Sequence, residues 1–377
     1  MDVHGFTAPG FEPVAEVFAR NFKEYEETGA AFAAYRDGEP VVDLWGGAAD
    51  PGTGRPWRAD TLQLVFSGAK GLTAACVLLL VERGLLDLDA PAARYWPEFA
   101  AAGKGGITVA EIMSHQARLP GVQLPFTEEE FLDPRHMAGL LAEQAPAEDP
   151  QAGFMYHALT HGWLVGELIR RVDGRGVGAF FADEFAGPLG LDVWLGLPDE
   201  QHHRVATTLA GPGVLTSPAD DDPLRALIRN PLITAEAPAL WNSAAFRRAE
   251  VPAVGAHVTA RSMARFYACL ARGGELDGVR VLAEATVRRG RRELRRGVEP
   301  LWGSPMAYGA GFELGTGTAL HGPAPDAFGH AGAWGSRHGA WPGARVGFSY
   351  AMNRTRAAWP DRRPLDLLTA LHDALPH

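Results

Sequence analysis

The sequence predicts an α/β fold in which both chain ends contribute to one sheet and the middle forms a mainly helical second lobe. Three observations carry this. The chain opens with a helical period followed by a hairpin, it closes with three strand-like runs and a helix, and the segments between have helical spacing broken by Pro-, Asp- and Gly-rich loops. The expected division is 1–60 with 275–377 for the sheet lobe and 61–274 for the helical lobe. A cleft is expected at their junction, where ligand sites tend to form.

The elements follow in order. Phe11, Val14, Val17, Phe18, Phe22 and Tyr25 recur near the helical period, giving a helix over 11–25. Ala30–Tyr35 and Pro40–Leu44 read as strands joined by Arg36-Asp37-Gly38-Glu39, an Asp-Gly hairpin turn. Trp45-Gly46-Gly47 and the Pro/Gly-rich stretch 50–57 close this unit. Lys70–Arg83 is an apolar helix stopped at Gly84, a left-handed cap position. Ile107–His115 is another, with Thr108 as N-cap and Glu111 completing a capping box. Gly162–Val172 and Ser262–Arg272 are further helices, with loops such as Ser217–Pro223 between them. At the end, Tyr308–Leu314, Ala333–Trp341 and Arg345–Asn353 are expected strands, and Pro364–Leu375 the last helix.

Composition narrows the function. The 377 residues are 46% hydrophobic and 21% charged, which is ordinary for a globular chain. A formal charge of −10 opposes nucleic acid and anionic membranes as partners, since phosphates would be repelled. The arginine run 288–296 reads as a solvated helix face. Leu72–Val81, the longest apolar run, is too short to span a bilayer, and Met1–Pro13 lacks the pattern of a signal peptide. Cys76 and Cys269 sit in apolar helices and are expected as buried free thiols, as in a reducing cytosol. The expectation is a cytoplasmic protein without nucleic-acid or membrane partners; its oligomeric state is not readable.

The chemistry centres on Ser67-Gly68-Ala69-Lys70 at the entry to an apolar helix. Backbone N–H groups at a helix start can stabilise a developing oxyanion. A residue three positions on returns to the same face, so the Lys70 amine can reach the Ser67 hydroxyl. Burial disfavours the ammonium and turns lysine into a usable base, so a Ser–Lys pair can replace a Ser–His pair. Lys23, Lys70 and Lys104 are the only lysines, and the expected number of chance Ser-x-x-Lys matches is about 0.06. Basic positions are otherwise arginine, which cannot give up its proton. The plainer reading, a surface lysine behind a capping serine, sits badly in so apolar a helix.

Leu64-Val65-Phe66-Ser67-Gly68-Ala69-Lys70-Gly71 resembles the active-serine motif of class C β-lactamases and family VIII carboxylesterases. Ile107-Thr108-Val109, Met113-Ser114-His115, Leu119-Pro120-Gly121 and Gly329-His330-Ala331-Gly332 extend the resemblance over nearly the whole chain. It implies an antiparallel sheet flanked by helices with a mainly helical second lobe. It also implies Ser67 as acylated nucleophile, and Tyr156 of Tyr156-His157-Ala158 as proton acceptor and donor, held as phenolate by Lys70. His330-Ala331-Gly332 would match the family's Lys-Thr-Gly on an edge strand, with the Ala333 N–H as second oxyanion donor and His330, Gly332 and Trp334 beside the substrate. Ala158 replaces an asparagine that binds β-lactams, and His330 replaces a lysine that holds a carboxylate. The first speaks against β-lactamase activity, and the second points to neutral, small-molecule esters.

The resulting reading is a carboxylesterase working through an acyl-enzyme on Ser67, without metal or organic cofactor. An acyltransferase using an amine or alcohol acceptor would need the same residues; a β-lactamase or D-Ala-D-Ala peptidase, and a non-catalytic binding protein, are less consistent with them. Other motifs are weak. Gly347-Phe348-Ser349-Tyr350-Ala351 lacks the helix that follows a nucleophile elbow, and His157 and His161 lack a third zinc ligand. The loops Gln116–Phe126 and Ser217–Trp241 are expected to wall the pocket, and Trp241, Trp334 and Trp341 are candidates for its lining or for the core.

Overall fold

A computed structural model describes residues 2–148, 150–211, 237–300, 303–317, 320–356 and 361–376; most of the expected loop Ser217–Trp241, including Ser217–Pro223, lies outside them. The strands that matter here are β1 (Val3–Thr7), β2 (Gly29–Arg36), β3 (Glu39–Asp50), β4 (Arg295–Glu299), β5 (Ser304–Tyr308), β6 (Glu313–Leu314), β7 (Phe328–Ala331), β8 (Arg337–Trp341) and β9 (Val346–Met352). They form a ten-stranded sheet in the order β1-β3-β2-β9-β8-β7-β6-β5-β4, with a short tenth strand, Arg55–Pro56, paired to β3. Every pairing in it is antiparallel. The chain ends meet at the β2–β9 pair, where Val346 lies opposite Arg36 and Met352 opposite Ala30.

The hairpin between β2 and β3 turns where the Asp-Gly signal placed it. Asp37 has φ +53° and Gly38 φ +95°, the left-handed pair a two-residue turn requires. Strand β9 is buried along its whole length because the sheet is covered on both faces. Phe348 and Tyr350 meet Val14 and Phe18 of α1 (Glu12–Glu24) and Leu367, Leu368 and Leu371 of α6 (Arg362–Asp373) in one core. On the other side Gly347 lets α5 (Ala260–Ala271) come close, since a Cβ there would fall 2.0 Å from the Ala268 nitrogen.

Helix α2 (Ala69–Glu82) runs through the middle of the larger core, with Ala69 to Leu80 all buried. A helix covered on every side has no need of an amphipathic stripe, which explains why its sequence is apolar apart from Lys70, Thr73 and the terminal Glu82. Helix α3 (Val109–Met113) carries the expected capping box: Glu111 N–H donates to Thr108 Oγ1 at 3.2 Å and Thr108 N–H to Glu111 Oε2 at 2.7 Å. Helix α4 (Thr160–Asp173) packs on α2. Both cysteines are buried free thiols. In the arginine run, Arg288 pairs with Glu284, Arg289 lies near Asp87 and Asp89, and Arg296 pairs with Glu293. Among the described residues no helix is long and apolar enough to cross a membrane.

Four expectations need correction. Tyr308–Leu314 is two strands, β5 and β6, separated by a glycine-rich turn in which Gly311 has φ +85°. Ala333–Trp341 is a strand only from Arg337; residues 333–335 form a 3-10 turn with Trp334 at φ +63°. The 328–331 strand is not at the edge but between β6 and β8, although β6 faces only Phe328 and Gly329. Lastly, β3 continues through Trp45-Gly46-Gly47 to Asp50, because the unexpected strand β1 pairs with it over Val42–Gly46, β2 reaches Gly47, and Arg55–Pro56 pairs with Ala48 and Asp50.

Candidate active site

Ser67 is delivered by a short strand and a tight turn. Gln63–Leu64 pairs with Ala256–Val258, Val65 N–H donates to the Ala256 carbonyl at 3.1 Å, and the 3-10 turn Phe66–Gly68 then feeds α2. Phe66 has φ +48°, a left-handed conformation that costs a side-chain-bearing residue about 1–2 kcal/mol. Such strain persists where surrounding contacts over-determine it. Here the Phe66 ring is held edge-on against Trp241 and Trp334.

Lys70 lies one turn on and is fully buried. Its Nζ donates to Ser67 Oγ at 3.1 Å, to the Ala158 carbonyl at 2.8 Å and to the Ala253 carbonyl at 3.2 Å. It also stands 4.8 Å from the centre of the Tyr156 ring. Desolvation brings the amine from its usual 10.5 down to about 7, although the Glu313 carboxylate works the other way. The Tyr156 hydroxyl is pushed well above the ordinary phenol value by burial and by Glu313, with a hydrogen bond to Ser67 opposing. At neutral pH the site therefore holds an amine near its midpoint beside a neutral phenol.

The motifs around Tyr156 turn out to be its supports. His157 N–H donates to His115 Nδ1 at 3.1 Å, and Leu119 N–H donates to His157 Nε2 at 3.1 Å. His157 Nδ1 faces the Met155 carbonyl at 2.6 Å, so both ring nitrogens are engaged within the protein. Thr160 Oγ1 donates to the Leu119 carbonyl, and the His115 ring packs 4.7 Å from that of Tyr156. Met113-Ser114-His115 and Leu119-Pro120-Gly121 thus hold the Tyr156 loop. Among the described residues no group of three or more His, Cys, Asp or Glu is gathered to hold a metal ion.

The third segment comes from β7. Gly332 N–H donates to the Ser336 carbonyl at 3.0 Å, and Ser336 Oγ donates to the Val65 carbonyl at 3.3 Å. A Cβ on Gly332 would sit 1.9 Å from Ser336 Oγ and 2.3 Å from the Val65 oxygen, so only glycine permits this approach to the Ser67 segment. Ser67, Tyr156, Gly332, Ala333 and Trp334 all line one cavity of about 510 Å³, with Met306 and Leu320 as apolar walls. Of the other residues expected there, His330 is fully buried with its ring 6.0 Å from Tyr156, and is not part of the cavity lining. Burial lowers its imidazole to about 4, so it is neutral at pH 7. Trp241 stands behind Phe66, Trp341 is a core residue, and 116–126 does not line the cavity.

Glu313 escaped the sequence reading. Burial pushes its carboxyl up, but His330, His321 and the Ala331 N–H together hold it well below the ordinary range. Its Oε2 accepts from Ala331 N–H at 2.7 Å and faces His321 Nε2 at 3.1 Å. Nothing local marks it, because its partners are His330 and Ala331 on β7 and His321 in the turn before that strand.

Comparison with known proteins accounts for this arrangement. A family model described as Beta-lactamase matches residues 15–371. The chain belongs to the Beta-lactamase family. Within it, the chain is 36% identical over 367 residues to "Esterase/beta-lactamase LipL" of Mycobacterium tuberculosis, covering 95% of this chain and 84% of that one. The solved structure of a family VIII carboxylesterase superposes with TM-score 0.90 at 38% identity, covering the whole of both chains. A penicillin-binding protein homolog from Caulobacter crescentus does so with TM-score 0.93 at 36% identity, again over both whole chains. The antiparallel sheet with flanking helices is thus the fold of Beta-lactamase-family esterases and penicillin-binding protein homologs.

Proposed function

We propose that this Beta-lactamase-family protein is a serine hydrolase that cleaves small carboxylic esters through an acyl-enzyme on Ser67. Ser67 Oγ attacks the carbonyl carbon, and its proton passes to the neutral Lys70 amine. The Ser67 and Ala333 N–H groups take the charge that develops on the carbonyl oxygen. As the tetrahedral centre collapses, the alcohol leaves with a proton from the Tyr156 hydroxyl, which Lys70 replaces. Water then attacks the acyl carbon, and its proton passes through the same two groups to Ser67 Oγ as the bond from Oγ to the acyl carbon breaks, releasing the acid.

The observation that carries this reading is the buried Lys70 Nζ, 3.1 Å from Ser67 Oγ, with its pKa lowered to about 7. An amine titrating there accepts a proton at neutral pH, while the phenol beside it is better suited to donating one. Burial therefore favours Lys70 over a Tyr156 phenolate as the base. A neutral ester is favoured because a buried neutral histidine, His330, stands where the family resemblance has a lysine. In this reading residues 1–60 with 275–377 and residues 61–274 are the two lobes meeting at the site, and the free thiols Cys76 and Cys269 support action in the cytoplasm.

The test is turnover of a p-nitrophenyl ester panel by the wild type and Ser67→Ala, beside a chromogenic cephalosporin. Ester hydrolysis that falls by about 10³ or more in the variant is expected, by analogy with other serine nucleophiles, with the cephalosporin cleaved more slowly than the esters. Undiminished ester turnover by Ser67→Ala would refute the reading.

A further inference from the structure

We infer that Phe66 and Trp334 form an aromatic clasp that sets the spacing of the two oxyanion amides, making both positioning residues for the reaction proposed above, on which this inference rests. Each ring belongs to a residue directly bonded in sequence to a donor: Phe66 precedes Ser67, and Trp334 follows Ala333. The two lie on separate parts of the chain, one leading into α2 and one between β7 and β8. Both adopt left-handed backbone, with φ +48° and +63°. Aromatic residues are rare there, and glycine or asparagine is the usual choice. Their rings meet edge to face, with centroids 5.0 Å apart and planes at 86°, the geometry aromatic pairs prefer.

The surroundings show what the contact adds. The Trp334 turn is tied down from behind, its carbonyl accepting from Arg356 N–H at 3.0 Å and from Arg363 Nη2 at 3.2 Å. The Phe66 turn is braced from behind by Trp241, centroid distance 5.7 Å and planes at 90°. Between the two turns, the Ser336 hydroxyl bonds the Val65 carbonyl, Gly332 packs against that carbonyl, Gly68 lies against His338, and the ring pair adds a contact between the residues next to the donors. The ring pair is a contact made by residues adjacent in sequence to both donors. Phe66 is 3% exposed and does not line the cavity, whereas Trp334 does. Any effect of Phe66 on the reaction must therefore travel through the backbone it carries or through the Trp334 ring it touches, and the split between kcat and KM tells the two apart. A ring needed only to fill the core would not require a left-handed residue immediately before the nucleophile.

The experiment measures kcat and KM for p-nitrophenyl butyrate with full-length Phe66→Leu, Phe66→Gly, Trp334→Ala and Trp334→Phe, and with Phe66→Leu combined with Trp334→Ala. Rates are normalised to active sites titrated with a fluorophosphonate, so loss of folded protein does not count as loss of rate. Phe66→Leu and Phe66→Gly are expected to lower kcat about tenfold or more while KM moves less than about threefold, since weakened oxyanion contacts act on the transition state. Trp334→Phe should recover most of what Trp334→Ala loses, and the double variant should be no slower than its slower parent, because both changes break one contact. Glycine adopts left-handed backbone freely, so wild-type kcat in Phe66→Gly would show that conformation alone is required and would overturn the clasp. Additive losses in the double variant would overturn it as well. Ser67→Ala, run beside these, separates the two claims: if it is inactive while the ring variants are unaffected, only the clasp fails, and if it stays active both fail.

Discussion

Replacing Lys70 with methionine separates the energetic consequence of burying this amine from its chemistry. Methionine keeps an unbranched chain of similar length but has no proton to gain or lose. Bringing the amine from 10.5 to about 7 corresponds to about 5 kcal/mol favouring the neutral form in the folded chain. Between about pH 7 and 10.5 the unfolded chain holds a proton on Lys70 that the folded chain has released, so stability rises with pH across that window. Below it both states are protonated and the folded state carries the whole penalty; above it neither is. Urea unfolding at pH 7 and pH 9 should give the wild type a rise that Lys70→Met lacks, roughly 2–3 kcal/mol in size. Groups that titrate alike in both proteins cancel in the comparison. The same midpoint should appear in catalysis, with kcat/KM for ester hydrolysis rising through pH of about 7 as the free enzyme loses the Lys70 proton. Equal pH slopes of stability in the two proteins, or substantial turnover by Lys70→Met, would show that the amine is not the buried base described here.

Three further outcomes follow from the same geometry. Tyr156→Phe should lower kcat by about 10²–10⁴ while thermal melting changes little, because the lost hydroxyl carries the proton to the leaving group. Gly332→Ala should lower kcat by about 10² and also reduce the melting temperature, since the new Cβ meets Ser336 Oγ and the Val65 oxygen and pushes the Ala333 amide off target. Glu27→Ala should destabilise the fold by about 3–5 kcal/mol in urea unfolding. It strips Arg363, fully buried, of the carboxylate 3.1 Å from its Nη1, leaving Asp361 as its carboxylate partner among the described residues.

How much of this was legible depended on whether a signal was local. The hairpin at Asp37-Gly38 and the end of α2 before Gly84 were readable because each rests on a residue suited to a left-handed turn. The central helix was readable because burial on all sides favours a nearly continuous apolar run. Ser67 and Lys70 were readable because a spacing of three returns to one helix face and because the residues around them resemble the family's active-serine motif. Trp334 was mistaken for a strand residue, since no local preference warns of tryptophan at φ +63°. The contacts around it come from Phe66, Arg356 and Arg363, which lie at distant points in the chain. Strand β1 was missed for a similar reason: it contains Gly5 at φ +105° and exists only as the outer partner of β3. The function of Met113-Ser114-His115 as a support for the Tyr156 loop likewise became visible only once distant backbone groups were in place.

The central claim is that a neutral, buried amine makes the Ser67 hydroxyl a nucleophile, and intact-mass spectrometry tests it most directly. The wild type, quenched in acid during turnover of a p-nitrophenyl ester, should gain the mass of one acyl group, and peptide mapping should locate it on Ser67. Ser67→Ala should show no added mass, and Lys70→Met should form the adduct far more slowly than the wild type. An acyl group found on another residue, or adduct formation at an undiminished rate without the amine, would contradict the account.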